Sequence, residues 1–286
     1  MSGRIRTFIQ RRAVLTYVAL TFAISWTGAV VLLGPGAFPL RWERFERFGA
    51  AFYVVILAGP CLASLLLTSL LEGRAGLRAM FARLQRWRVG AGWYGFALLP
   101  ALLLAVAQIA LSLVYPGFVP AFFSSDDKGT TVLLSITAAL LFGCFEEIGW
   151  TGFAVPRLRA HHTVITTSLV LGVVWGAWHF LLFWETDTFS GALPLAILLI
   201  RLFSWLPAFR LLMVWVYDRT GSLPLVMLMH ASVVFVQVML LPQHLEGNAR
   251  MAAVLVTPVV MWLLAAVPLV ATPQFWWPRF FKLRRS

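Results

Sequence analysis

The sequence predicts an all-α polytopic membrane protein, a bundle of about eight transmembrane helices with both termini cytoplasmic. Three observations carry that prediction. Of 286 residues, 60% are hydrophobic and only 12% are charged, with a mean hydropathy of +0.85, well beyond the apolar content of a soluble domain. The apolar residues come in runs of about 20, the length a helix needs to cross a hydrocarbon core about 30 Å thick. Lysine and arginine concentrate in alternate gaps between the runs, which is the positive-inside pattern of membrane proteins.

Taken in order, the expected spans are 13–34, 49–71, 93–115, 130–155, 163–184, 192–216, 221–241 and 250–272. Each must be helical, because lipid offers backbone amides no outside partner. The first follows "QRRAVL", which has the look of a twin-arginine signal, but its apolar run is too long for a signal-peptide core and reads as a spanning helix. The gaps carry the turn formers "GPGAFP", "YPGFVP", "SGALP" and "TGSLP". Arg4, Arg6, Arg11 and Arg12, the set Arg74 to Arg88, Arg157, Arg159, Arg219 and the tail from Arg279 put sixteen cations on one side. Arg41, Arg44, Arg47, Lys128 and Arg250 leave five on the other. This bias puts both termini inside the cell and agrees with an even number of spans. The chain divides into residues 1–125 with spans one to three, 126–245 with spans four to seven, and 246–286 with the last span and a basic tail.

The net charge of +12 belongs to those loops and implies a lipid bilayer, not a nucleic acid, as partner. Cys61 and Cys144 both fall inside apolar runs and read as buried thiols, with no disulfide or metal framework. The chain is expected in the cell membrane as a multi-pass protein.

Against this background six ionisable residues stand out inside spans. They are Glu146 and Glu147 in the fourth, His179 in the fifth, Arg201 and Arg210 in the sixth and His230 in the seventh. A charge at membrane depth costs about 2.5–3.5 kcal/mol even on insertion scales, so each such residue marks a functional site by default. Carboxylates and imidazoles on three helices can converge in a bundle. Trp175, four residues before His179, lies on the same helix face. A glutamate and a histidine sharing a water form a hydrolytic unit, and a second histidine can stabilise an oxyanion. The same Glu146, His179 and His230 could instead hold Zn²⁺, and a proton-coupled transporter would use similar residues. The residues alone leave these readings open.

At these positions "EEIGWTGFAVPRL", "VVWGAWHFLLFW" and "LMHASVV" resemble the three motifs of the CPBP family of intramembrane proteases, which includes the type II CAAX prenyl proteases. The resemblance covers roughly Ala138 to Gln237. It implies a peptide or membrane-protein substrate, Glu146 as general base, His179 as its partner on the water, and His230 as oxyanion or metal group. Glu147 is implied as a structural acid. Two positions depart from the family pattern: Thr151 stands where arginine is expected, and Val234 where asparagine or aspartate is expected. A weak or inactive homologue acting as a membrane partner is the alternative that these departures raise.

Arg210 bears on the missing arginine. Glu147 and Arg210 each lie about 17 residues from the outer end of parallel spans, so they are level to within about a turn. Arg210 either pairs with Glu147 in the place of the family's arginine or snorkels to the surface. Counting from Arg157 and Arg219 sets Glu146 and His230 at equal depth, about 16 Å from the cytoplasmic side. His179 counts as deeper, and access is expected from the cytoplasmic half.

Overall fold

The computed structural model describes residues 3–34, 36–39, 42–115, 117–240, 242, 245 and 247–271. The tail cations used for orientation lie outside these residues, as do Arg41 and the side chains of Arg4, Arg6 and Arg44. Every regular element among the described residues is helical. Seven stretches are long and apolar enough to cross a membrane: Ala13–Leu33, Arg47–Leu84, Ala91–Val114, Lys128–Arg159, Ala192–Thr220, Leu223–Leu240 and Gly247–Val270. An eighth apolar helix, Val164–Trp178, is shorter. The protein is an all-α, multi-pass membrane protein.

A short helix α1, Gly3–Arg11, precedes α2, Ala13–Leu33, which packs along α3, Trp42–Leu84. The predicted second span ends at residue 71, but α3 runs on as helix past a kink at Gly73, whose φ of 64° suits glycine. Arg74, Arg78 and Arg83 are therefore helical, not loop. Helix α4, Ala91–Val114, and the single turn α5, Ala121–Ser124, lead to α6, Lys128–Gly149. The start of α6 is fixed by Asp127, which accepts from the Thr130 hydroxyl at 2.6 Å and its backbone N–H at 3.0 Å. Those bonds, the hydroxyl's first, hold the Asp127 carboxyl below the usual range.

Beyond α6 the helix does not stop. It widens into a π-turn, Trp150–Ala154, and returns to α geometry in α7, Val155–Arg159. The wide turn falls one step after the two buried glutamates, the kind of place where such bulges occur. Gly149 at this junction serves close packing and not helix breaking. A Cβ there would lie 2.3 Å from the Tyr17 hydroxyl and 2.4 Å from the Pro60 carbonyl oxygen. Gly149→Ala is therefore expected to destabilise the protein by about 1–3 kcal/mol, read as a lower unfolding midpoint in detergent. Gly152→Ala, whose nearest atoms are at 3.5 Å, should leave the midpoint within error.

The predicted fifth span, 163–184, is broken. Helix α8, Val164–Trp178, ends at His179, and a single turn α9, Phe180–Phe183, follows. The His179 ring lies 2.7 Å from the Trp175 carbonyl, the group that would continue the ladder, and its backbone N–H turns chiefly to Gly176, at 3.0 Å. The predicted sixth span is also two helices, α10, Ala192–Phe203, and α11, Leu206–Thr220. Pro207 sits in the first turn of α11, where its missing N–H costs no helical hydrogen bond. Helices α12, Leu223–Leu240, and α13, Gly247–Ala271, complete the bundle. Helix α6 packs on α12 and α3, α8 on α11, and α4 on α12 and α13.

The two ends of the bundle differ. At one, Arg157 pairs with Glu72, Arg159 with Asp218 and Arg83 with the Tyr217 hydroxyl. At the other, Glu185 joins Arg201 to Arg250.

Candidate active site

Adjacent residues on an α-helix point about 100° apart, so Glu146 and Glu147, both fully buried, meet different neighbours. Glu147 faces α11 and α12. The Arg210 guanidinium donates to it as a fork, Nη1 to Oε2 at 2.9 Å and Nη2 to Oε1 at 3.3 Å. The His230 Nδ1 lies 3.0 Å from Oε1, and the Thr151 hydroxyl donates to Oε2. Arg210 is fully buried and also donates to Thr151 at 3.4 Å, with its guanidinium 4.1 Å from the Trp175 ring centre. It pairs with Glu147 and does not snorkel. The position where arginine was missing, Thr151, sits inside the cluster that Arg210 completes.

Glu146 faces α8. The Trp175 indole N–H donates to its Oε2 at 2.5 Å. Its other oxygen, Oε1, is buried with no protein partner. That orphan atom contrasts with Glu147, whose carboxylate is saturated by four donors. Sequence neighbours thus carry opposite assignments, one bound on all sides and one with an oxygen to spare.

Both histidines show the same face. A carbonyl can only accept, so the His179 Nδ1 beside Trp175 carries the proton, and in the neutral ring Nε2 holds the lone pair. The His230 Nδ1 on the Glu147 carboxylate implies the same tautomer. Trp175 links all three groups. Its ring stands edge-on to His179 at 5.2 Å and to His230 at 5.3 Å, while its N–H holds Glu146.

The contact of Glu146 with His179 is therefore through a shared neighbour, not a hydrogen bond between them. Depth explains this. Trp175 and Glu146 sit at similar distances along their helices from the α7–α8 turn, and His179 lies one turn further, about 6 Å. Sequence counting already made His179 too deep.

His179 and His230 keep Nε2 for other use, and Glu146 keeps Oε1, which is the right donor chemistry for Zn²⁺. Their placement does not fit: among the described residues no three His, Cys, Asp or Glu side chains form a group that could hold a metal ion. Trp175 stands among the three, and Glu147 is committed to Arg210.

Aromatic walls that sequence reasoning passed over enclose the site. Phe183 stacks on His179 at 5.7 Å, and Phe209 touches both Trp175 and His230. Thr151 was missed as a contributor, although its place four residues after Glu147 sets it on the same helix face. Among the other departures, Val234 is half-buried on α12. Ser232 turns its hydroxyl to the Met229 carbonyl at 2.9 Å, so it supplies nothing to the cluster.

Residues 128–236 match the family model described as Type II CAAX prenyl endopeptidase Rce1-like. The chain is also similar to CAAX prenyl protease 2 of Methanococcus maripaludis, 31% identical over 97 residues, a stretch that is 33% of this chain. The chain matches about a third of that relative's length, 35%. The matched segment runs from the start of α6 through most of α12 and contains every residue of the cluster around Trp175. Through this segment the chain is similar to the type II CAAX prenyl endopeptidases.

Proposed function

We propose that this chain is an intramembrane endopeptidase in which Glu146 activates water against a peptide carbonyl. The observation that carries the reading is the unpartnered Oε1 of Glu146, whose other oxygen is held by Trp175, the ring that stands edge-on to two histidines with Nδ1 already engaged. Oε1 takes a proton from water as the oxygen adds to the carbonyl carbon. The His179 Nε2 accepts the water's other hydrogen bond and orients it. His230, fixed by Glu147 through Nδ1, stabilises the charge that develops on the carbonyl oxygen when its ring also carries a proton on Nε2, which then donates to that oxygen. The proton on Glu146 then passes to the departing amine nitrogen as the C–N bond breaks, which returns the carboxylate to its starting state. Arg210 and Thr151 hold Glu147, and through it His230, in place.

The relatives' names direct the choice of substrate class to test, a peptide ending in a CAAX sequence, with or without a prenyl group. The test uses the purified full chain in lipid nanodiscs with a farnesylated CAAX peptide and its unprenylated twin, and products are read by mass spectrometry. Cleavage of either peptide supports the reading. Intact peptides with a folded protein would favour the alternative of an inactive homologue that acts as a membrane partner. Cleavage should also persist unchanged in a chelator. Loss on chelation with recovery on adding Zn²⁺ would replace the glutamate mechanism with a metal one.

A further inference from the structure

A cavity of about 640 Å³ lies at the end of the bundle where Glu185 joins Arg201 and Arg250. Its inner wall includes Phe183, the ring stacked on His179, and Trp205, which stacks on Phe209 at 6.0 Å. One aromatic layer thus separates the cavity from the two histidines. Two glutamines also line it, Gln108 from α4 and Gln237 from α12.

Gln108 is the informative one. It is 1% exposed, six residues before the end of the apolar helix α4, and its Oε1 has no hydrogen-bond partner in the protein. A buried amide without a partner is costly, and at membrane depth bulk water does not relieve it. Gln237 lies seven residues after His230, two turns along the same face of α12.

An endopeptidase must hold its substrate extended across the bond that breaks. Extension inside a membrane strips main-chain N–H and C=O groups of their helical partners, and those groups then need polar partners from the enzyme. A glutamine amide offers both an acceptor and donors. We infer that this cavity is the binding site for an extended peptide backbone, with Gln108 accepting a main-chain N–H and Gln237 giving a second amide contact. The inference rests on the protease reading above and names how its substrate is held.

The test measures binding of the fluorescent farnesylated CAAX peptide and its unprenylated twin to full-length Glu146→Gln protein in nanodiscs. Each peptide is also made with one backbone N–H methylated at each position in turn. One N-methyl position is expected to weaken binding about tenfold when Gln108 is present. The same position should matter less than twofold in the added Gln108→Met background, which swaps an unpaired amide for an apolar chain of similar length. Gln237→Met, at a half-buried position, repeats the measurement where folding is least at risk and should suppress the effect of a different N-methyl position. Equal sensitivity with and without Gln108 overturns the inference, and so does failure of both peptides to bind. Cleavage by the Glu146 protein is read in parallel. Cleavage without the Gln108 coupling removes this inference alone, and coupling without cleavage removes the protease reading alone.

Discussion

Glu146→Gln is expected to abolish peptide cleavage, lowering turnover by about 10²–10⁴-fold, while the protein stays folded and membrane-inserted. The substitution isolates the proton acceptor. A glutamine has nearly the same shape, and its amide oxygen can still accept from the Trp175 indole, which is the one protein hydrogen bond that Glu146 makes through its side chain. What changes is the second oxygen, Oε1, which has no protein partner and becomes an NH₂ that cannot take a proton. Unfolding midpoints of the two proteins should therefore agree, and binding of the reporter peptides should survive. Single-turnover cleavage is the measurement that checks this. A Glu146→Gln protein that cleaves at the parent rate would remove Glu146 as the base and return attention to the histidines.

Arg210→Met should have the largest effect on stability, about 3–5 kcal/mol. Both members of the Arg210–Glu147 pair are fully buried. Removing the cation leaves a carboxylate in the bundle with a hydroxyl and an imidazole in place of the guanidinium fork. It also removes the guanidinium from the face of Trp175. The result is read as loss of folded yield and a lowered midpoint in detergent. The double variant Glu147→Gln with Arg210→Met removes both charges and should recover most of the loss, because an uncompensated buried charge and not lost packing dominates the single change. If the double variant is as unstable as the sum of the two singles, the pair is not coupled and the stabilising role of the fork is wrong.

The bundle was legible because hydrophobic run length is set by the membrane itself. The ends of α2, α4, α12 and α13 fall within about three residues of where composition placed them. The breaks were harder. Nothing changes in hydropathy across His179 or across Ser204 and Trp205, since the chain on both sides must still satisfy an apolar surrounding. Pro207 follows the second break, but Pro60, Pro100, Pro258 and Pro268 lie inside helices, so proline alone did not mark it, and the first break depends on a side chain competing for its own helix's carbonyl, which no pattern displays. The level placement of Glu147 and Arg210 could be counted along parallel helices, and the counting was sound even though α10 and α11 are separate. The role of Trp175 was only half visible. Spacing put it on the face of His179, but that its N–H would reach Glu146 on another helix is a fact of tertiary packing. Thr151 looked like a defect because a motif records residue types and not the side chain that replaces a missing one from elsewhere in the fold.

The cavity with Glu185, Arg201 and Arg250 at its rim lies at the end of the bundle remote from Arg83, Arg157 and Arg159. Sequence counting had placed access at the arginine-rich end. With that end facing the cytoplasm, as the charge bias implies, the cavity lies toward the opposite compartment. A peptide entering from that compartment would first meet Phe183 and Trp205, the rings that stand in front of the two histidines, so these two side chains set what has to move before the buried carboxylate can be reached.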